Sequence, residues 1–571
     1  MVKIKVLRVF FPLLIFLNSC GPGTFIGTWT KILDPGNSSP LTTKIDPETI
    51  KDSEPIISPP IKTNKNYFKV VGVPNRDRNI VMMNDTGGQV GFSVVSEDIN
   101  NDGYDDIILG APDSDGVMKE TTTSGWVYIV FGKNKFSQAM DLKHEVDVSF
   151  WAGRGGGRNR LGHALASSDI NGDGIKDLII GAPHFNGKNN QRVHSGAIFV
   201  VYGKSKLRRI NNLEETADLI ILGAHEGDLA GFSISSGNIN GDKKMDLIIG
   251  APGSRNKNSS ETGAAYILFG RKSFPKVIDL SKHHNGHLVG SDGAAKKLSF
   301  LGNRADQAGY SVLSADVNSD GLDDVLIGAP FADGYQNKGE DSGEVYIVLG
   351  RTKFPKRLEL RREANSIIYG SKKFEYSGKQ LASGDMNGDG IADVLISSPG
   401  AKIKSKKKYS TGIVFGVPGR KIWPRKLYSG KRGNKAFVSH YKTYGENYES
   451  TMSGDNILDF GAGLAAIDLN GDKMDDLVIG VPGAPKGKFD FGAGSINSFI
   501  AKKNKRKNFP SRVFQPTRLG SSESLGKSIA VGDINGDGNK DLLVGAPGMF
   551  RSKTRGVGGG AYIIFGSSIS Y

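Results

Sequence analysis

Seven times along the chain, oxygen-bearing side chains crowd into a nine-residue loop. The first reads D-I-N-N-D-G-Y-D-D, from Asp98 to Asp106. Asp98, Asn100, Asp102 and Asp106, at positions 1, 3, 5 and 9, can turn oxygens toward one centre, and Tyr104 at position 7 can add its backbone carbonyl. An all-oxygen set of irregular geometry suits a hard cation, and Ca2+ better than Mg2+. Three carboxylates held this close also repel one another unless a cation sits among them. The same set recurs as Asp169, Asn171, Asp173, Ile175 and Asp177; as Asp316, Asn318, Asp320, Leu322 and Asp324; and as Asp385, Asn387, Asp389, Ile391 and Asp393. The last two copies are Asp468, Asn470, Asp472, Met474 and Asp476, then Asp533, Asn535, Asp537, Asn539 and Asp541. One loop departs. It starts with Asn238 and carries Lys243 and Lys244 at positions 6 and 7, so it is expected to stay empty, leaving about six Ca2+ sites.

Gly103 at position 6 supplies a sharp turn, as in a helical Ca2+ hand. Position 12 is then apolar (Leu109, Ile180) where such a hand needs a bidentate Glu. The run after the loop, D-I-I-L-G-A-P, is short, rich in β-formers and stopped by proline, which predicts a strand. A single D-x-N-x-D-G reads equally well as an Asx turn, because Asp, Asn and Gly favour turns without any metal. Repetition in register favours metal.

Each loop sits in a 22-residue cassette, with a glycine seven residues before it and G-A-P or a relative beginning twelve residues after its first residue. The fifth and sixth copies vary the ending, the fifth to Ser397-Ser398-Pro399, and the sixth has Lys473 at the glycine position. No cassette gains or loses a residue, whereas successive loops begin 65 to 83 residues apart. A fixed unit on elastic connections is a repeat architecture. The frame G-F-S…D-x-N-x-D-G-x-x-D…G-A-P resembles the FG-GAP repeat of integrin α-subunits and of bacterial integrin-like proteins, over about residues 67–571. That resemblance implies an all-β, seven-bladed β-propeller with Ca2+-binding loops. Within each repeat the cassette gives strands one and two. An alternating run such as Gly125–Gly132 gives strand three, weaker near Gly412 and Gly494, and a run such as Ala217–Gly223 gives strand four. The seventh repeat ends after its third strand. The apolar run Asn79–Met83 has no repeat of its own and is expected to complete the last blade, closing the ring.

Residues 1–20 read as a targeting segment: Lys3, Lys5 and Arg8, a short apolar run from Val9 to Leu17, then Leu17-Asn18-Ser19-Cys20. The ending resembles a bacterial lipoprotein cleavage box, and Cys20, the only cysteine, is the expected lipidation site. Residues 21–66 are rich in Pro, Ser, Thr and Lys and read as a flexible tether. The expected location is a bacterial cell envelope, with the protein lipid-anchored at the outer membrane or cell surface.

The formal net charge is +15. The excess collects after strand three of the second to sixth repeats, in Lys204–Arg209, Arg271–Lys276, Arg351–Arg357, Arg420–Lys426 and Lys502–Lys507, with another run at Lys402–Lys408. Such runs serve either as a solvated face or as a surface for an anionic partner, headgroups or acidic polysaccharide. Nucleic acid fits least, since no reader motif is present. The His283, His284, His287 cluster reads as a loop rather than a transition-metal site, and Gly153–Gly157 lacks the G-K-[ST] ending of a phosphate loop. No catalytic constellation emerges. The expected function is an exported binding or adhesion module for a protein or polysaccharide. Its rivals are an envelope enzyme with an axial active site and a structural subunit of an envelope assembly. A cluster of Asp, Glu, His or Arg at the axial mouth would favour the enzyme.

Overall fold

The computed structural model describes residues 79–83, 88–115, 124–153, 158–255, 262–282, 287–289, 306–355, 357–404, 409–429, 459–484, 493–499, 501, 512–514, 523–549 and 558–566. Cys20, the targeting segment, the tether, His283, His284 and residues 154–157, 405–408 and 502–507 lie outside them.

The protein is all-β, with one sheet for each of the seven repeats. In the first repeat, strand one (Ser93–Glu97) enters the Asp98 loop and returns as strand two (Asp106–Ala111). Strand three (Trp126–Val130) and strand four (Val148–Trp151) continue the antiparallel order. Every residue of Asp106–Ala111 and Trp126–Val130 is buried, as expected when both faces of a sheet are covered by neighbours. The cores therefore lie between sheets. Ile108, Val127, Ile129 and Phe150 of the first repeat pack with Leu178, Ile180 and Phe199 of the second. Gly110 explains how close the sheets come: a Cβ there would meet the carbonyl oxygen of Gly162, the next repeat's cassette glycine, at 2.2 Å.

Asn79–Met83 lies antiparallel to Gly560–Ile564, with Val81 opposite Tyr562. The N-terminal strand thus fills the fourth position of the seventh sheet. Met82 shares a core with Ile107 and Leu109 of the first repeat and with Leu543 and Ile563 of the seventh. Ser528 Oγ donates to the Gly91 carbonyl at 3.0 Å, joining the last repeat to the first.

Two expectations need correction. The basic runs after strand three are more than connections, because four of them lead into a short fifth strand that pairs in parallel with the preceding repeat's fourth. Ile210–Asn212 joins Val148–Trp151, and Val277–Asp279 joins Leu219–Leu222. Arg357–Glu359 joins His287–Val289, and Lys426–Tyr428 joins Ser366–Tyr369. Ala139–Asp141 does the same for the N-terminal strand. His287 consequently sits in a strand rather than a loop. The fifth repeat also differs: its second and third strands, Asp393–Lys404 and Tyr409–Val417, form an extended hairpin with a register shift between Ser398 and Lys402. Lys402 to Lys404 thus belong to a strand.

Candidate metal loops and the axial mouth

Each loop is shaped by its own side chains. Asp98 accepts from the Asp102 and Gly103 amides at 3.1 and 2.9 Å, and Asp102 from the Tyr104 amide at 3.0 Å. The same bonds recur at Asp169, Asp316, Asp385, Asp468 and Asp533. Position 9 has a further task. Asp106 accepts from Ile99 N at 3.1 Å and from Gly132 N, at the end of strand three, at 2.9 Å. All seven repeats repeat this pair of bonds, including Asp246 of the third (Ile239 N, 3.0 Å; Gly270 N, 2.8 Å). Position 9 is therefore a structural tie between loop and blade, whatever else it holds. Burial pushes Asp106, Asp177, Asp324 and Asp541 up to about 7, only partly offset by these two bonds, and the carboxylates at positions 5 and 1 add to the rise.

Among the described residues no three Asp, Glu, His or Cys side chains converge closely enough to hold an ion by themselves. A Ca2+ ion here would also draw on the position-3 amide and the position-7 carbonyl. One atom fits that requirement directly: Asn100 Oδ1 is buried with no hydrogen-bond partner, an acceptor left over in the middle of the donor set. The third loop keeps the same backbone path with different chemistry. Lys243 occupies the left-handed position at φ 66°, where Gly103 sits at 91°, and Lys244 Nζ stands 3.4 Å from Asp242 Oδ2. Lys473 of the sixth loop adopts φ 67° in the same way.

At the opposite end of the inner strands, the residue after each cassette glycine is partly exposed: Phe92, His163, Phe232, Tyr310, Lys379, Ala462 and Lys527. They meet around the axis. Ring centroids are 5.0 Å apart for Phe92–His163, 4.5 Å for His163–Phe232 and 4.9 Å for Phe232–Tyr310. Lys379 and Lys527 reach Asp459 at 2.7 and 3.4 Å from either side, and Lys527 also lies 5.2 Å over the Phe92 ring. Burial pushes His163 down to about 3, aided by the Arg160 charge. Burial alone would raise Asp459, but the two lysines together outweigh it and hold the carboxyl at about 2.

The profile of the FG-GAP repeat matches residues 90–130, 161–201, 230–268, 308–348, 377–416, 460–496 and 525–564, one segment for each sheet. The chain is an FG-GAP repeat protein. It is 27% identical over 428 residues to "Phosphatidylinositol-glycan-specific phospholipase D" of Bos taurus, covering 72% of this chain and 46% of that protein. The Homo sapiens protein of the same name is 28% identical over 278 residues, 46% of this chain and 30% of its own. "Integrin alpha-8" of Gallus gallus is 25% identical over 324 residues, 54% of this chain and 25% of its own. The chain thus spans less than half the length of these curated relatives.

In the FG-GAP frame the first cation of four basic runs has a structural position. Lys204 N donates to Ile99 O of the preceding loop at 3.0 Å, and Arg271, Arg351 and Arg420 repeat the bond to Ile170, Ile239 and Val317. Their side chains fold onto aromatics three residues on: Arg271 on Phe274, Arg351 on Phe354 and Arg420 on Trp423, at 4.8 to 5.1 Å. These four basic runs therefore start on the loop face. Sequence reasoning missed the axial ring, although its members are in register in the sequence. It also missed Asp105, Asp323 and Asp475 at position 8. These accept from Asp533 N, Asn238 N and Asp385 N of neighbouring loops at 2.6 to 2.8 Å, coupling the loops in pairs. No helix among the described residues is long and apolar enough to cross a membrane.

Proposed function

We propose that this FG-GAP propeller is a Ca2+-stabilised binding and adhesion module, exported to a bacterial cell envelope and held there by lipid on Cys20. The observation that carries the metal part is the repeated donor set, with its buried, unpartnered Asn100 Oδ1. Six loops would hold the ion through positions 1, 3, 5 and 9 and the carbonyl at 7. When bound, Ca2+ neutralises carboxylates that otherwise repel one another. The loops' own contribution is to fix the oxygens through amide bonds and to tie adjacent blades together. The third loop, with its two lysines, would stay empty. The ligand would be a protein or a polysaccharide, with anionic headgroups as a further contact for the basic loop face.

A catalytic reading has two findings in its favour, the relatives named as a phospholipase and the gathering of His163, Asp459 and Arg160 at the axial mouth. The protonation states of the axial groups support binding instead. General acid–base catalysis needs groups that titrate near the working pH, whereas His163 is held neutral and Asp459 is held ionised by two lysines. The deciding experiment is a pull-down from envelope extracts with immobilised full-length protein, with and without Ca2+. A specific partner retained only in Ca2+ is expected. Identical capture by the protein and by a loop-ablated control would remove the reading.

A further inference from the structure

We propose that the axial mouth opposite the Ca2+ loops is a binding site for an acidic sugar residue, a pyranose bearing a carboxylate. The idea rests on the binding-module reading and locates that module's contact. The mouth is divided into two halves. One is an unbroken aromatic crescent, Phe92, His163, Phe232 and Tyr310, whose successive rings are 4.5 to 5.0 Å apart and mutually tilted by 44 to 54°. The other is cationic. Lys379 and Lys527 come from the fifth and seventh repeats, with the small Ala462 between them leaving room for Asp459 to reach both. Both lysine side chains remain 30% exposed, so they stay open to solvent beside Asp459.

The charges on this side do not cancel. One carboxylate serves two ammonium groups, and each ammonium has three donors. Arg160, whose guanidinium lies 5.6 Å over Phe92, is engaged by Asp113 at 3.4 Å and leaves the surplus unchanged. A bare anion would use the lysines and ignore the crescent. A neutral sugar would use the crescent, since the negative face of an aromatic ring attracts the weakly positive C–H face of a pyranose, and ignore the lysines. A uronic acid residue satisfies both halves. Its carboxylate accepts from Lys379 and Lys527, and its ring lies on Phe92, Phe232 and Tyr310. Charge-assisted bonds of this kind are among the stronger polar contacts.

The test uses full-length protein in Ca2+ and calorimetric titration with tetragalacturonic acid, against maltotetraose as the neutral control. Tetragalacturonate is expected to bind at least about tenfold more tightly, a difference of about 1.4 kcal/mol, and to weaken as NaCl rises. The charge-neutralised variant Lys379→Gln/Asp459→Asn/Lys527→Gln, which strands no buried charge, should lose that preference with little change in melting temperature. Asp459→Asn alone should strengthen binding, because it removes the competing carboxylate. Phe232→Leu should weaken binding of both tetramers. Equal affinity for the two tetramers, no binding to the wild type, or a triple variant that binds like the wild type would overturn the proposal. A Ca2+-dependent partner retained in the pull-down despite such a result would leave the module reading standing without this site.

Discussion

Asp246 separates the structural role of position 9 from its proposed role toward metal. It is fully buried, accepts two backbone amides at 3.0 and 2.8 Å, and belongs to the loop whose lysines make Ca2+ least welcome. Asp246→Ala leaves the Gly270 amide without its acceptor and the Ile239 amide with only the Gly237 carbonyl, at 3.2 Å. A stranded buried donor costs about 1–3 kcal/mol, so the variant should lose at least that much. Asp106→Ala strands the equivalent amides of Ile99 and Gly132 and should also remove a Ca2+ ligand. At free Ca2+ one hundredfold above a site's Kd, that site adds about 2.7 kcal/mol. Urea denaturation of wild type and both variants, in EDTA and in saturating Ca2+, gives the comparison. In EDTA both variants should be less stable than wild type, Asp106→Ala by the larger margin because Ile99 N has no second acceptor such as Gly237 O. In Ca2+ only Asp106→Ala should fall further behind wild type, by up to about 2.7 kcal/mol. An Asp246→Ala protein as stable as wild type would refute the tie, and a cost that depends on Ca2+ would refute the empty third loop.

EDTA should lower the melting temperature of the wild type, and Ca2+ should restore it better than Mg2+; an unchanged curve with no metal in the purified protein would refute Ca2+ stabilisation. Deleting residues 21–65 should leave a stable domain, whereas deletion through Met83 exposes the edge of Gly560–Ile564 and the core around Met82; equal melting and protease resistance of the two would place the seam elsewhere. Asp459, at about 2 in the fold and about 3.9 unfolded, contributes stability that is complete above the unfolded value and disappears as pH falls through the folded one. Its share is about 2–3 kcal/mol, so Asp459→Asn should flatten the acid limb of a stability profile between about pH 4 and 2, and an unaltered limb would show that the lysines do not depress it.

The loops and the seven-sheet order were legible because both are local signals. D-x-N-x-D-G-x-x-D has one spacing, and its strands are apolar runs of five or six residues. The seam was legible by elimination, from a strand without a repeat and a repeat without a strand. The fifth strands were not, since Ile210–Asn212, Val277–Asp279 and Arg357–Glu359 are three residues long, too short for a period of two to register. The structural role of position 9 could have been read from the third loop, where Asn238, Lys243 and Lys244 break the shared donor pattern while Asp246 stays.

The axial ring shows what a repeat hides from sequence reading. Its residues stand at one register position, yet their types vary from Phe to Lys, and only the circular arrangement of the blades makes neighbours of Lys379, Asp459 and Lys527. Each is aimed by the same device. Two residues before the cassette glycine, Gln89, Arg160, Leu229, Gln307, Tyr376, Asp459 and Ser524 all adopt φ between 51 and 60°. In six of the seven the carbonyl of this residue accepts from the ring residue three positions on, as in Gln89 O from Phe92 N at 3.1 Å. A left-handed conformation is unfavourable for side chains of these types and persists only where the surroundings over-determine it. Here the close approach of adjacent sheets provides the constraint. The turn has no room to relax, because Gly91, Gly162 and their counterparts lie against the neighbouring backbone. The packing that closes blade on blade thus also fixes the axial side chains, so the mouth is preorganised by the same contacts that hold the propeller together.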